Sequence, residues 1–361
     1  MGRGRDGERK RDMLRAMDSA VAGLRAHQNK MDVVGHNLAN VNTFGFKAQT
    51  YNFKEAMYQT STASTGGTAT GGGVNAAQYG YGTLMGSIGV DMTASTPSYV
   101  GGFNASINGE GFFLTRPTKT DDAGIAVTDT TTIKEANFAY TRVGQFFVDS
   151  KGYVVDANGN FVYGFRADGV ETADDVANGI TGGDTKLEET LKPLRVPIGV
   201  NIQQGVTSAG SNNQAFDVAY GDIKDTGNAL VASSVQINSY GEVMVTVKAP
   251  DNATAPVKPG EPYTISIGKV AIATFQNPNG MAKAGQSYYS ANKSDNTGDV
   301  VVTFPGDSGS SNLMTGYIEA SNVDLANEFA TMITTHRGFQ ANSKMITVSD
   351  EMLSDLISMK R

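Results

Sequence analysis

Two apolar repeats, one at each end of the chain, constrain this sequence more than anything between them. From Leu14 a seven-residue pattern runs through Met17, Val21, Leu24, Gln28, Met31, Gly35 and Leu38. A second starts at Leu325 and runs through Phe329, Met332, His336, Phe339, Ser343, Ile346, Asp350, Leu353 and Ile357. Steps of three and four place one narrow apolar stripe on a helix, and such a stripe needs a further helix to cover it. The two stripes are therefore expected to pair with each other, with neighbouring copies, or with both. That is the plan of an assembly subunit rather than of an enzyme.

The first helix is expected over about 12–39 and should end in Asn40-Val-Asn42-Thr-Phe44-Gly45, because Asn and Gly favour left-handed backbone. The second opens at Ser321-Asn-Val-Asp324, read as a capping box, and would extend about 55 Å to Ser358. Between them the chain is rich in glycine (43 of 361 residues) and in short β-patterned runs. Strands are predicted at 103–107, 111–115, 138–142, 145–148, 153–155, 161–165, 234–238, 243–247, 263–267 and 270–275. Asp149-Ser-Lys-Gly152 and Asp156-Ala-Asn-Gly159 supply hairpin turns.

The expected fold is α+β: a mainly β central domain, with long terminal helices paired as a coiled-coil-like terminal domain. Its helical part takes 13–47 with 321–361. The β-rich core takes 48–166 with 234–320 and includes a flexible loop at 61–73, where Ser61–Gly73 is of low complexity. Residues 167–233 form a small exposed insertion. Residues 1–12, MGRGRDGERKRD, are read as a disordered arm or as an over-extended start ahead of Met13; no apolar h-region follows them.

A net charge of −7 argues against general nucleic-acid binding, and no apolar run is long enough for membrane insertion by a helix. The chain has no cysteine, which removes disulfides and thiolate metal sites. Gly80-Tyr-Gly82-Thr-Leu-Met-Gly86 is a near miss for a dinucleotide loop, its third glycine one place late. Asp156-Ala-Asn158-Gly-Asn160 lacks the glycine and the closing carboxylate of a calcium loop. His27, His36 and His336 have no metal-ligand spacing. No catalytic, cofactor or metal site is expected. A surface adhesin with a helical stalk would need a secretion signal or an anchor of its own.

The segment His36-Asn-Leu-Ala-Asn40-Val-Asn-Thr-Phe-Gly-Phe-Lys47 resembles a signature of bacterial flagellar rod and hook proteins, with His36 where that family usually has Asn. Ser106-Ile-Asn-Gly-Glu-Gly-Phe-Phe113, Tyr140-Thr-Arg-Val-Gly-Gln-Phe146, Val270–Gly280 and Glu319–Leu325 agree with the same family, in its order. Arg337-Gly-Phe-Gln-Ala-Asn342 and Asp350-Glu-Met-Leu353 look most like hook members. The small room for an outer domain keeps distal-rod members open. The resemblance implies a homo-oligomeric helical tube, exported by the flagellar type III apparatus without a cleaved signal. The tube would meet a distal rod protein, a hook cap protein and a hook–filament junction protein. It also implies terminal helices lining the inner tube and a β-rich outer wall. The residues expected to carry self-assembly are Leu14, Val21, Leu24, Met31, Leu38, Leu325, Phe329, Met332, Phe339, Ile346 and Leu353, with Phe44 and Phe46 as anchors where helix joins wall.

Overall fold

The computed structural model describes residues 3–67, 71–119, 124–127, 130–167, 187–196, 198–200, 230–248, 262–307 and 310–359; side chains ahead of Arg15 lie outside that description. The described residues contain three α-helices, α1 (Arg3–Ala39), α2 (Thr130–Glu135) and α3 (Leu325–Ser358), with β-strands between the long terminal pair. The chain divides into two compact units. One comprises 1–42, 47–91 and 322–361, and the other 43–46 and 92–321.

In the first unit α1 and α3 lie along each other, accompanied by a two-stranded ribbon. Gln49–Glu55 pairs antiparallel with Thr83–Val90, and further along the ribbon Tyr58–Thr62 pairs with Ala77–Gly80. This ribbon belongs with the helices and not with the β core, which corrects the expected boundary at residue 48. The reason is local bonding. Ala48 N donates to Asn322 Oδ1 at 2.7 Å, and Asn322 Nδ2 donates to Asp91 O at 2.9 Å. Gly82, at φ +97°, has so little room beside Ser19 that a Cβ would sit 3.1 Å from its backbone. The expected loop at 61–73 is the far end of the ribbon, where Thr65 and Val74 exchange backbone hydrogen bonds of 3.0 and 3.1 Å. Residues 68–70 lie outside the described set.

Both helix ends differ in mechanism from expectation. α1 runs back to Arg3, so the basic stretch is helical and not a disordered arm. Its far end closes without left-handed asparagines; Asn40 Nδ2 donates to His36 O at 2.9 Å, and the left-handed residue is Gly45, φ +66°. α3 is capped by Asp324 itself, not by Ser321. Its carboxylate accepts from Ala326 N at 2.9 Å and from Asn327 N at 3.4 Å, satisfying backbone donors that the first helical turn leaves open.

In the second unit an antiparallel network of strands surrounds two apolar cores. Its main path runs from Ile198–Val200 through Leu230–Ile237, Glu242–Lys248, Pro262–Val270, Phe161–Ala167, Phe112–Arg116, Ala139–Thr141 and Tyr288–Ser290 to Ala282–Gly285. Strand Phe112–Arg116 is buried on both faces, and period-two alternation sends Phe113 into one core and Phe112 and Leu114 into the other. The expected hairpins form: Phe146–Val148 pairs with Val154–Asp156, and Gly152 N closes its turn on Asp149 O at 2.8 Å. The insertion is smaller than 167–233. Strand Leu187–Pro193 pairs with Phe161–Ala167, and Leu191, Leu194 and Val196 are fully buried, so this stretch is core. The remainder, 168–186, 197 and 201–229, lies outside the described residues.

Candidate assembly surface

α1 and α3 are antiparallel, because their contacts run in opposite order along the two helices. A Cβ on Gly23 would lie 2.6 Å from Asn342 Nδ2, and one on Gly338 would lie 2.7 Å from His27 Cε1. At the far end Asn37 Nδ2 donates to Glu328 Oε1 at 2.9 Å. Asn37 is fully buried and also grips the first ribbon strand, accepting from Gln49 N at 2.9 Å and donating to Gln49 O at 2.8 Å. One side chain thus fixes the end of α1, the start of the ribbon and the first turn of α3.

The seam is built largely of small and polar residues: Ala20, Gly23, Ala26, His27 and Asn37 on α1, where Val33 and Val34 are also buried, with Thr335, Gly338, Asn342 and Ser349 on α3. Glycine and alanine let the helix backbones approach closely, and the seven-residue step of Thr335, Asn342 and Ser349 keeps one face toward α1. The two apolar repeats form only part of this seam, through Ile346 and Leu353 on α3. At about 100° per residue, the Leu325–Phe329–Met332 part of the α3 stripe lies a little over a quarter-turn from it, whereas Ile346 and Leu353 come within about 40°; the α1 stripe is displaced by about a third of a turn. The coiled-coil-like pairing expected through the full length of the stripes is therefore not confirmed. An apolar repeat identifies a face that needs cover, and here small residues allow the intramolecular contact to use mostly another.

What remains is a pair of helices whose apolar faces are incompletely covered. Val21 is 37% exposed, Phe329 48% and Ile333 57%. Leu325, Met345, Met352 and Ile357 are also exposed. Leu24, Met31, Leu38, Met332, Phe339, Ile346 and Leu353 are half-buried. The side chain of Leu14 lies outside the described residues. Ile333, Met345 and Met352 were missed as candidates because they fall outside the seven-residue repeat.

Phe44 and Phe46 belong to the second unit and have opposite fates. Phe46 is 8% exposed, with Lys283 Nζ 4.7 Å above its ring centroid, whereas Phe44 is 40% exposed. The glycine between them is required: Gly45 N donates to Glu319 O at 2.8 Å, and a Cβ would lie 2.6 Å from Val143 Cγ2. Partial burial of Lys283 lowers the pKa of its ammonium, while burial raises that of the Tyr140 hydroxyl. Both residues are in the β-rich unit.

Two family models match the chain at its ends. The one described as "Flagella basal body rod protein" matches residues 17–47, and "Flagellar basal body rod FlgEFG protein C-terminal" matches residues 314–359. Over 350 residues the chain is 31% identical to the flagellar basal-body rod protein FlgG of Bacillus subtilis (strain 168), covering 97% of this chain and 100% of the relative. It is 28% identical over 463 residues to the flagellar hook protein FlgE of Borreliella burgdorferi, covering 96% and 100%. Against the hook protein FlgE of Escherichia coli (strain K12) the identity is 23% over 438 residues, again covering 96% and 100%. Full-length similarity to both kinds of relative, with model matches on the paired terminal segments, leads to one conclusion: the chain belongs to the bacterial flagellar rod and hook protein family, structural components of the flagellum.

Proposed function

We propose that this chain is the subunit of the flagellar hook, exported by the flagellar type III apparatus and polymerising into the curved tube that couples motor torque to the filament. The observation that carries self-assembly is the apolar surface left open on α1 and α3 after they pair. Phe329 and Ile333, each about half exposed, would gain on the order of 1 kcal/mol apiece on full burial between copies. Repeated around a helical lattice, small gains of this kind add up without making the free subunit insoluble. The rod below, a cap protein during growth and a junction protein at the far end are the partners this role requires.

The preference for hook over rod rests on Arg337–Asn342 and Asp350–Leu353, and on the softness of the open surface. Met57, Met85, Met345, Met352 and Met359 are all exposed in the helical unit. Unbranched thioether side chains re-pack after small displacements, as subunits of a bent, rotating tube must do once per turn. The distal rod is the second reading. The hook relatives align over 463 and 438 residues, more than the 361 of this chain, so they carry stretches it lacks, whereas the rod relative of Bacillus aligns over 350. Deletion of the gene separates the two. Cells with complete rods and no hook support the hook reading, and cells with truncated rods support the other.

A further inference from the structure

We infer that His27 makes the pairing of the chain's two ends sensitive to acid. This goes beyond the assembly role and holds for a hook or a rod subunit alike. His27 sits in the α1–α3 seam, where Gly338 leaves just enough space for the imidazole; a Cβ there would be 2.7 Å from Cε1 and 2.8 Å from Nε2. On its other side the ring meets Phe53 of the ribbon edge-on, with centroids 5.4 Å apart. Nδ1 is buried and has no hydrogen-bond partner.

The ring is partly exposed, but the protein groups around it suit a neutral imidazole and supply no counter-charge to a protonated one. Along α1 the neighbouring charge is Lys30, whose Nζ lies 5.4 Å from the centroid of the same Phe53 ring. On α3 the charged or titratable residues flanking Gly338 are His336 and Arg337, both exposed, and on the ribbon Lys54 and Glu55 are exposed as well. No carboxylate pairs with the imidazole among the described residues. Two further buried polar atoms of this unit, Thr335 Oγ1 and Tyr51 Oη, also lack partners, so the seam has little capacity to absorb another unsatisfied charge.

Burial first, and Lys30 second, lower the pKa of His27 below its usual 6.5. The sign follows from linkage. Above pH 6.5 the ring is neutral in both the paired and the separated states, and the seam has its full stability. As pH falls below 6.5 the separated state takes up the proton first, so pairing weakens until the folded ring also protonates. Acid thereby frees the terminal helices from each other while leaving the β-rich unit, which holds no histidine, without this source of acid sensitivity.

The chain has three histidines, so the full-length double variant His36→Gln/His336→Gln leaves His27 as the sole imidazole. Its ring protons, followed by NMR, should titrate with a midpoint below 6.5. The thermal midpoint of the helical circular-dichroism signal should fall over the same range. Adding His27→Gln, or His27→Phe if the glutamine variant does not fold at pH 8, should flatten that fall. A ring midpoint at or above 6.5, or an unchanged acid dependence when residue 27 no longer titrates, overturns the inference.

Discussion

Arg142 and Glu319, 177 positions apart in sequence, form an ion pair in which Nε donates to Oε2 at 2.8 Å and neither side chain is more than 2% exposed. The rest of the guanidinium is equally occupied. Nη1 donates to Gly111 O at 2.7 Å, and Nη2 to Gly109 O at 2.8 Å. Glu319 Oε1 accepts from Ser95 N at 2.9 Å, and Glu319 O accepts from Gly45 N. Three of the sequence stretches shared with the flagellar family, Ser106–Phe113, Tyr140–Phe146 and Glu319–Leu325, thus meet at one buried pair.

Because the pair is fully hydrogen-bonded, removing one member leaves a buried charge and several carbonyls without partners. Arg142→Ala is expected to destabilise the β-rich unit by about 3–5 kcal/mol. Arg142→Lys should recover only part of that, since a single ammonium lacks the fork that reaches both glycine carbonyls and the carboxylate. Urea denaturation of the full chain, followed by tyrosine fluorescence, measures both.

How much of this was legible depended on where the chemistry lay in the chain. The hairpins from 145 to 165 were readable because alternation and Asp/Asn-Gly turns are local signals. The ribbon strands were not: Tyr58–Thr62 and Ala77–Gly80 are exposed throughout and rich in Thr, Gln and Gly, so they carry no alternation. The helices were legible, but their contact face only in part, since hydrophobic periodicity cannot see the Ala, Gly, Thr and Asn positions of the seam. Leu191, Leu194 and Val196 were lost in an acidic neighbourhood until strand pairing placed them in the core. The partnership of Arg142 with Glu319 is a property of the fold, and spacing alone has no means of expressing it.

Asn37 supplies a second test. Its three hydrogen bonds, two to Gln49 and one to Glu328, all lie in the helical unit. Asn37→Asp keeps the shape but replaces the donor that reaches Gln49 O and Glu328 with an acceptor, and adds like charge beside Glu328. We expect a loss of about 1–3 kcal/mol for each group left unsatisfied. Hydrogen exchange should show it as lost protection at the end of α1 and the start of α3, with strand Phe112–Arg116 unchanged.

Alkaline sensitivity should come from the β-rich unit. The Tyr288 hydroxyl donates to Asp156 Oδ2 at 2.6 Å and accepts from Asn158 and Asn160. Burial first, and the hydrogen bond to Asp156 next, raise its pKa to about 12. A raised phenol pKa means that folding favours the protonated ring, so its contribution is complete below pH 10 and is lost as pH rises from 10 toward 12. Tyr288→Phe should be less stable than the parent at pH 8, with a gap that narrows across that range in thermal scans.

The separation of seam from stripe makes the sharpest prediction, because it assigns folding and assembly to different faces of one helix. Gly338→Ala places a methyl group 2.7 Å from His27 Cε1 and should cost about 1–3 kcal/mol through overpacking, lowering the melting temperature of the unassembled chain. Phe329→Glu lies on the open face and gives up only the half of the ring already covered, so it should cost that stability about 1 kcal/mol. In assembly the order reverses. Phe329→Glu places a carboxylate where apolar surface would be buried against a neighbouring copy, so polymerisation followed by sedimentation should fail, and cells carrying it should lose motility. Gly338→Ala should still polymerise, at a higher critical concentration, because its outward faces are intact. If Phe329→Glu instead melted the free chain while the surviving material polymerised normally, the stripe would be part of the fold, and the contacts between copies would have to lie elsewhere.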